Sequence, residues 1–177
     1  RHKIRARAGE LVRACRRIGD KYGIPVVNKR LAVTPVSSLA AACGPEGFRQ
    51  VACALDEGAE EVGVDLVGGF SALVQKGMTP GERALIEAMP RALADTSRVC
   101  SSVNVATSKA GINVDAINLV AEKILEAARL TADRDGFGAA KFTVFANIPE
   151  DNPFMAGAYV GAGEPEAAVN IGVSGPN

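Results

Sequence analysis

Apolar residues recur at helical spacing through the first segment: Ile4, Ala8, Leu11, Cys15, Ile18 and Tyr22 share one side of a helix predicted over residues 3–22. Arg5, Arg7, Arg13, Arg16 and Arg17 fill most of the remaining surface, which reads as a solvated face. Gly23 and Pro25 close that element. The run from Val26 to Val36 predicts a strand broken at Pro35. Helical spacing returns over residues 46–56, with Phe48, Val51, Ala52 and Leu55 on one side and Gly58 as the stop. Val62 to Val67 predicts a short strand that runs into Gly68-Gly69 and carries Asp65 near its end.

Thr79-Pro80-Gly81-Glu82 has the make-up of a capping box, with Pro80 suited to the first helical position and Glu82 three residues past the cap. It opens a helix through Leu85, Ile86 and Met89 that kinks near Pro90. The next stretch alternates: Val99, Ser101, Val103 and Val105 share one face of a strand, and Cys100, Ser102 and Asn104 the other. Asn113 then caps a helix whose stripe is Val114, Ile117, Ala121, Ile124 and Ala128. Ala140 to Asn147 predicts a further strand, and Ala168 to Ser174 a last one. Helix and strand alternating with short connections predict a mainly parallel α/β sheet or barrel, with residues 1–177 a single α/β segment.

Composition narrows the function classes. Twenty basic and twenty acidic residues cancel, so no global field draws the chain to nucleic acid or an anionic membrane. Apolar runs are too short to span a bilayer and no signal-peptide pattern opens the chain, so a soluble, cytoplasmic protein is expected. Cys15, Cys43, Cys53 and Cys100 form no CxxC pair and read as reduced, packed thiols. The only histidine is His2, which excludes a Ser-His-Asp triad, a Cys-His dyad and a multi-histidine metal site within the chain. The GGFSALVQKG stretch matches neither the phosphate-loop nor the dinucleotide fingerprint.

In parallel α/β folds ligands gather outside the carboxyl ends of the strands. The polar groups expected there are Thr34, Asp65, Cys100, Ser101, Ser102, Asn104, Lys109, Asn113, Asn147, Glu150, Asp151 and Asn152. Lys109, just ahead of the Asn113 helix and its free amides, suits an anion. Cys100 is a candidate nucleophile if Lys109, Arg98 or a helix terminus lowers its pKa, and a packing residue otherwise. Asp65 and Glu150 are candidate proton-transfer groups, and Glu150 with Asp151 could hold Mg²⁺ or Ca²⁺ through oxygen ligands, against the alternative that this loop only fixes a turn. The functional expectation is an enzyme of unassigned reaction acting on a small anionic metabolite. Its rival is a non-catalytic ligand-binding or structural barrel. The partners expected are a small molecule, and no nucleic acid or membrane; a homo-oligomer stays open.

The strings VDLVGGFSALVQKG, VCSSVNVATSKAGINVDAI, FANIPEDNPFMAGAYVGAGEPEAAVNIGVSGP and YGIPVVNKRLAVTPVS resemble the "PFL family" proteins, catalogued as domain of unknown function 711 and uncharacterised protein family 0210. These proteins are longer, so the chain resembles an internal part of one. The resemblance implies a relative of the ten-stranded α/β barrel of pyruvate formate-lyase and anaerobic ribonucleotide reductase, and no established reaction. It makes Cys100 the counterpart of the barrel-loop cysteine of glycyl radical enzymes and implies a histidine at the position of Val160. No glycine motif of the RVxGY type occurs here, so a glycyl radical mechanism is not expected.

Overall fold

The computed structural model describes residues 1–39, 42–149, 151–153, 157–161, 163 and 166–173. In chain order its elements are α1 (His2–Ala8), α2 (Leu11–Tyr22), β1 (Arg30–Ala32), α3 (Val36–Leu39), α4 (Pro45–Val62), β2 (Leu66–Leu73), α5 (Pro80–Asp95), β3 (Val99–Thr107), β4 (Gly111–Ile112), α6 (Val114–Leu130), α7 (Phe137–Ala140) and β5 (Phe142–Ala146). β1, β2, β3 and β5 are parallel, β2 lying between β1 and β3, and β5 pairing with β3. β4 folds back antiparallel on the carboxyl end of β3. The result is a mixed α/β fold around an open five-stranded sheet rather than a closed ten-stranded barrel.

Local chemistry accounts for the elements that position the site. The capping box is present in full: Thr79 accepts from the Glu82 amide, and Glu82 accepts from the Thr79 amide at 2.8 Å. Pro90 lies inside α5 and is buried. Asn113 caps α6 by accepting from the Ala116 amide at 3.1 Å, and its own amide donates to the Val74 carbonyl at 2.8 Å. α5 packs against both α4 and α6, so the three crossover helices stand side by side on one face of the sheet. Phe48, Phe70, Leu85, Met89, Val99 and Val103 are fully buried between the layers.

The opposite face is crossed by a strap, residues 157–161. Val160 N donates to Val33 O at 3.2 Å, and Asn152 and Tyr159 exchange backbone bonds at 3.1 and 2.9 Å. The strap lies so near β2 that a Cβ on Gly68 would stand 2.4 Å from the Ala158 carbonyl. Gly69, at φ 99°, marks a register shift between Val67 and Phe70, and a Cβ there would stand 2.4 Å from the Val33 carbonyl.

Several expectations are corrected. The first helix is two, parted at Gly9 and Glu10, and Arg5 and Arg7 of its first part form exposed ion pairs with Glu61 and Glu166. Gly58 does not end α4. Its missing side chain lets Ile4 of α1 approach, and the helix runs on to Val62 and stops at left-handed Gly63. The strand expected over Val26–Val36 shrinks to the three residues of β1, because Val36 opens α3. β2 begins at Leu66, so Asp65 precedes it. On α6 the buried residues are Ala116, Val120 and Ala127, whereas Val114 and Ile117 of the expected stripe are exposed. Residues 168–173 form no strand and are exposed; Ser174 lies outside the described residues.

Candidate functional site

The helix-free face of β3 carries Cys100, Ser102 and Asn104, as alternation requires, and the strap roofs part of it. Ser102 Oγ lies 2.8 Å from Ser71 Oγ of β2 and 3.5 Å from the Gly157 carbonyl of the strap, to which Asn152 Nδ2 also donates at 3.1 Å. Two strands and the strap thus meet in one buried polar cluster. Nearer the carboxyl end, the contacts of the buried Asn104 amide orient its nitrogen to the carbonyls of Phe145 at 3.0 Å and Ala106 at 3.1 Å, and its oxygen to the Gln75 carboxamide at 3.1 Å.

Beyond the strand ends, Asn147 is held in the left-handed region at φ 56°. Its Oδ1 accepts from the Ser108 amide at 2.5 Å and its Nδ2 lies 2.8 Å from Ser108 Oγ, so the ends of β3 and β5 are tied together. Lys109 is exposed on the neighbouring turn, and Thr34 is half-buried just past β1. A depression of about 550 Å³ opens at this end, lined by Gln75, Lys76, Gly77, Asn113 and Asp115 among others. A second, of about 460 Å³, is remote from it, between α2 and the chain up to Lys29.

Two of the expected catalytic groups lie at the other end of the sheet. Asp65 precedes β2; its carboxylate accepts from the Lys29 amide at 2.6 Å and faces Lys29 Nζ at 3.4 Å, and the backbone bond from Lys29 is the main reason its pKa is lowered. Cys100 is the second residue of β3, opposite the start of β2. Burial pushes its thiol pKa up, against the weaker opposing pull of Lys141 and Arg30. The thiol is therefore held neutral, which disfavours nucleophilic attack. Among the described residues none of the four cysteines is in a disulfide. Native protein is expected to alkylate at half-buried Cys15, Cys43 and Cys53 first, and at Cys100 about tenfold more slowly until urea unfolds the chain. Peptide mass spectrometry reads this directly, and equal native labelling would mean an activated thiol.

The remaining expected residues separate. Ser101 points the other way from Ser102 and is fully buried, with no hydrogen-bond partner for its Oγ among the described residues. Asp151 is exposed and accepts from the Gly161 amide at 2.8 Å. Glu150 lies outside the described residues. Among the described residues no three His, Cys, Asp or Glu side chains assemble as metal ligands; Glu150, the other half of the expected cation pair, is outside that set.

Sequence reasoning missed Ser71, Gln75 and Ser108, whose polar groups bond the expected ones; a hydroxyl inside the otherwise small and apolar GGFSAL run was the available signal for Ser71. It also missed Lys141, which is buried and donates to the carbonyls of Leu93 at 2.9 Å and Thr96 at 2.6 Å at the end of α5. Desolvation is the leading cause of its lowered pKa. Its bonds are those of a helix C-terminal anchor.

A family model described as "Uncharacterised ACR (DUF711)" matches residues 1–177. The chain is similar to a UPF0210 protein of Desulfovibrio desulfuricans, 61% identical over 174 residues, which is 98% of this chain and 38% of that protein. It is similar also to UPF0210 proteins of Methanosarcina acetivorans, at 58% identity, and Oleidesulfovibrio alaskensis, at 56%, each match again covering 98% of this chain and 38% of the relative. The chain thus spans well under half the length of these curated relatives. Among the described residues no helix is long and apolar enough to cross a membrane.

Proposed function

This chain belongs to the Uncharacterised ACR (DUF711) family, whose description assigns no reaction, and on that premise we propose that it is a sector of an α/β barrel that holds a small anionic metabolite at the carboxyl ends of its strands. The barrel reading is supported by strand order. The parallel strands follow one another in chain order and their helices share one face, the arrangement of singly wound barrels; doubly wound sheets reverse direction and cover both faces. The ten-stranded barrel of pyruvate formate-lyase type is the closed form such a sector would complete.

The observation that carries the ligand reading is the buried Ser102–Asn104 face of β3. It runs from the Ser71 hydroxyl to Gln75 at the rim of the depression that Lys76 and Asn113 also line. Hydroxyls and amides with nearby lysines recognise a polar anion by hydrogen bonds and charge. Thr34, Lys109, Asn147 and Asn152 are assigned the remaining contacts in this reading. A thermal-shift screen of small anionic metabolites, made on a chain of the relatives' full length, identifies the ligand. Asn104→Ala, with folding checked by circular dichroism, is then expected to weaken its binding about tenfold by calorimetry, the effect of losing one or two buried hydrogen bonds. Unchanged affinity would remove Asn104 from the site.

One observation favours the non-catalytic reading as the second choice. Asp65 is engaged by Lys29 and Cys100 is a buried neutral thiol, both at the amino ends, so the groups left near the proposed ligand bind rather than move protons. Glu150, or residues beyond this sequence, would then carry any chemistry. A bound ligand that is never turned over supports that reading.

A further inference from the structure

Arg30 is the one arginine among the described residues that is withdrawn from solvent without a partner. Arg49 and Arg98, also half-buried, pair with Glu46, Asp95 and Glu60, and the remaining arginines are exposed. The Nε of Arg30 is fully buried with no acceptor, and among the described residues no hydrogen bond or ion pair reaches the rest of its guanidinium. A fixed charge and several N–H donors held off water are costly until an acceptor meets them. Register shows where they lie. Arg30 is opposite Leu66 and Ala32 opposite Gly68, whose missing Cβ makes room for the strap, so alternation turns Arg30 and Leu66 to the strap-bearing face, toward its amino end. Cys100 shares that face, because Val67 and Val99 are opposite each other and turn the other way. The Arg30 charge reaches two neighbours, opposing the effect of burial on the Cys100 thiol and adding to the lowered pKa of Asp65. Neither of them meets it: Asp65 is engaged by Lys29, and the neutral Cys100 sulfur lies 3.9 Å from the Arg98 carbonyl.

We propose that Arg30 binds a short-chain monocarboxylate on the amino-end half of the strap-bearing face, with the carboxylate on the guanidinium fork and the apolar end beside Leu66. A planar carboxylate matches the paired donors of a guanidinium, which a halide does not. A single negative charge is what one unpartnered cation balances; a phosphate dianion would leave excess negative charge within reach of Asp65. Leu66 and Ala32, both half-buried on the same face, supply the apolar wall. This site is separate from the one proposed at the carboxyl ends and stands whether or not that reading does.

Propionate is the probe, used on a chain of the relatives' full length that carries this sequence. It should raise Tm by about 2 °C over sodium chloride at equal concentration. Arg30→Met should abolish that rise, and Arg30→Lys, which keeps the charge and loses the fork, should weaken binding about tenfold by calorimetry. No rise in the unsubstituted protein overturns the proposal. So does a rise that survives Arg30→Met; if Asn104→Ala removes it instead, the anion sits at the carboxyl ends. Without propionate, Arg30→Met deletes an unpaired charge and should leave Tm within about 2 °C or raise it. A fall of about 5 °C or more, or a failure to fold, would show that a carboxylate of the longer chain already pairs with Arg30, and overturns the proposal. Phenylglyoxal labelling of the unsubstituted protein, read by peptide mass spectrometry, checks the same point without a variant. Propionate should slow modification of Arg30 about fivefold, and an Arg30 that is unprotected or unreactive overturns the proposal.

Discussion

Gly69→Ala is expected to destabilise the protein by about 3–5 kcal/mol, combining a strained backbone with a steric clash. Gly69 sits at φ 99°, where an L side chain is rarely found, and the added methyl would stand 2.4 Å from the Val33 carbonyl and 2.6 Å from Val33 Cγ2. Relief requires β1 to move off β2, and Val33 also receives the Val160 amide of the strap, so the roof of the site loosens with it. In a chain of this size the loss corresponds to a Tm lower by about 10 °C. Gly77→Ala is the control. Its φ is 115°, but nothing lies within 4 Å of the added methyl, so it keeps the backbone strain and lacks the clash. Thermal denaturation of both variants separates the two contributions, and similar losses would mean that β1 is not seated against Gly69.

Asp56→Ala is expected to cost about 3 kcal/mol in urea denaturation, the scale of several charge-assisted bonds lost at once. The Asp56 carboxylate, on the last turns of α4, accepts from three successive amides where α5 hands over to β3: Ser97 at 3.1 Å, Arg98 at 2.6 Å and Val99 at 3.2 Å. Removing it leaves these donors to water or to nothing, at the point from which the register of β3 is counted. Asp56→Asn keeps one acceptor and should fall between wild type and alanine. A loss below about 0.5 kcal/mol for alanine would show that water replaces the carboxylate without penalty.

The parts of this fold legible in the sequence are those decided within a few neighbouring residues. Thr79 and Glu82 form their cap, Asn113 forms its own, and the two faces of β3 divide as its alternation says. What was not legible depends on partners distant in sequence. Gly58 reads as a stop signal until Ile4 is seen to need the space. Asp65 reads as a strand-end acid, but the strand starts after it, because Gly68 and Gly69 continue β2 beneath the strap and β1 instead of ending it. The α6 stripe was misassigned because that helix is apolar on two adjacent flanks and only one is covered. Lys141 gave no local sign, since a lysine buried against two carbonyls looks in sequence like any surface lysine.

Within the site the same division holds. Ser102 and Asn104 were found from alternation and do share a face, while Asp65 and Cys100 were grouped with Asn147 on the assumption that all three lie at one end of the sheet. The first two lie at the amino ends and Asn147 past the carboxyl end.

The strap is delivered late in synthesis. The ribosome releases Gly68 and Ser71 roughly ninety residues before Ala158 and Val160, an interval of about 5–20 s at ordinary translation speeds. A sheet that forms in that interval leaves Ser71 without its roof, and Ser102, made about thirty residues later, for a correspondingly shorter time.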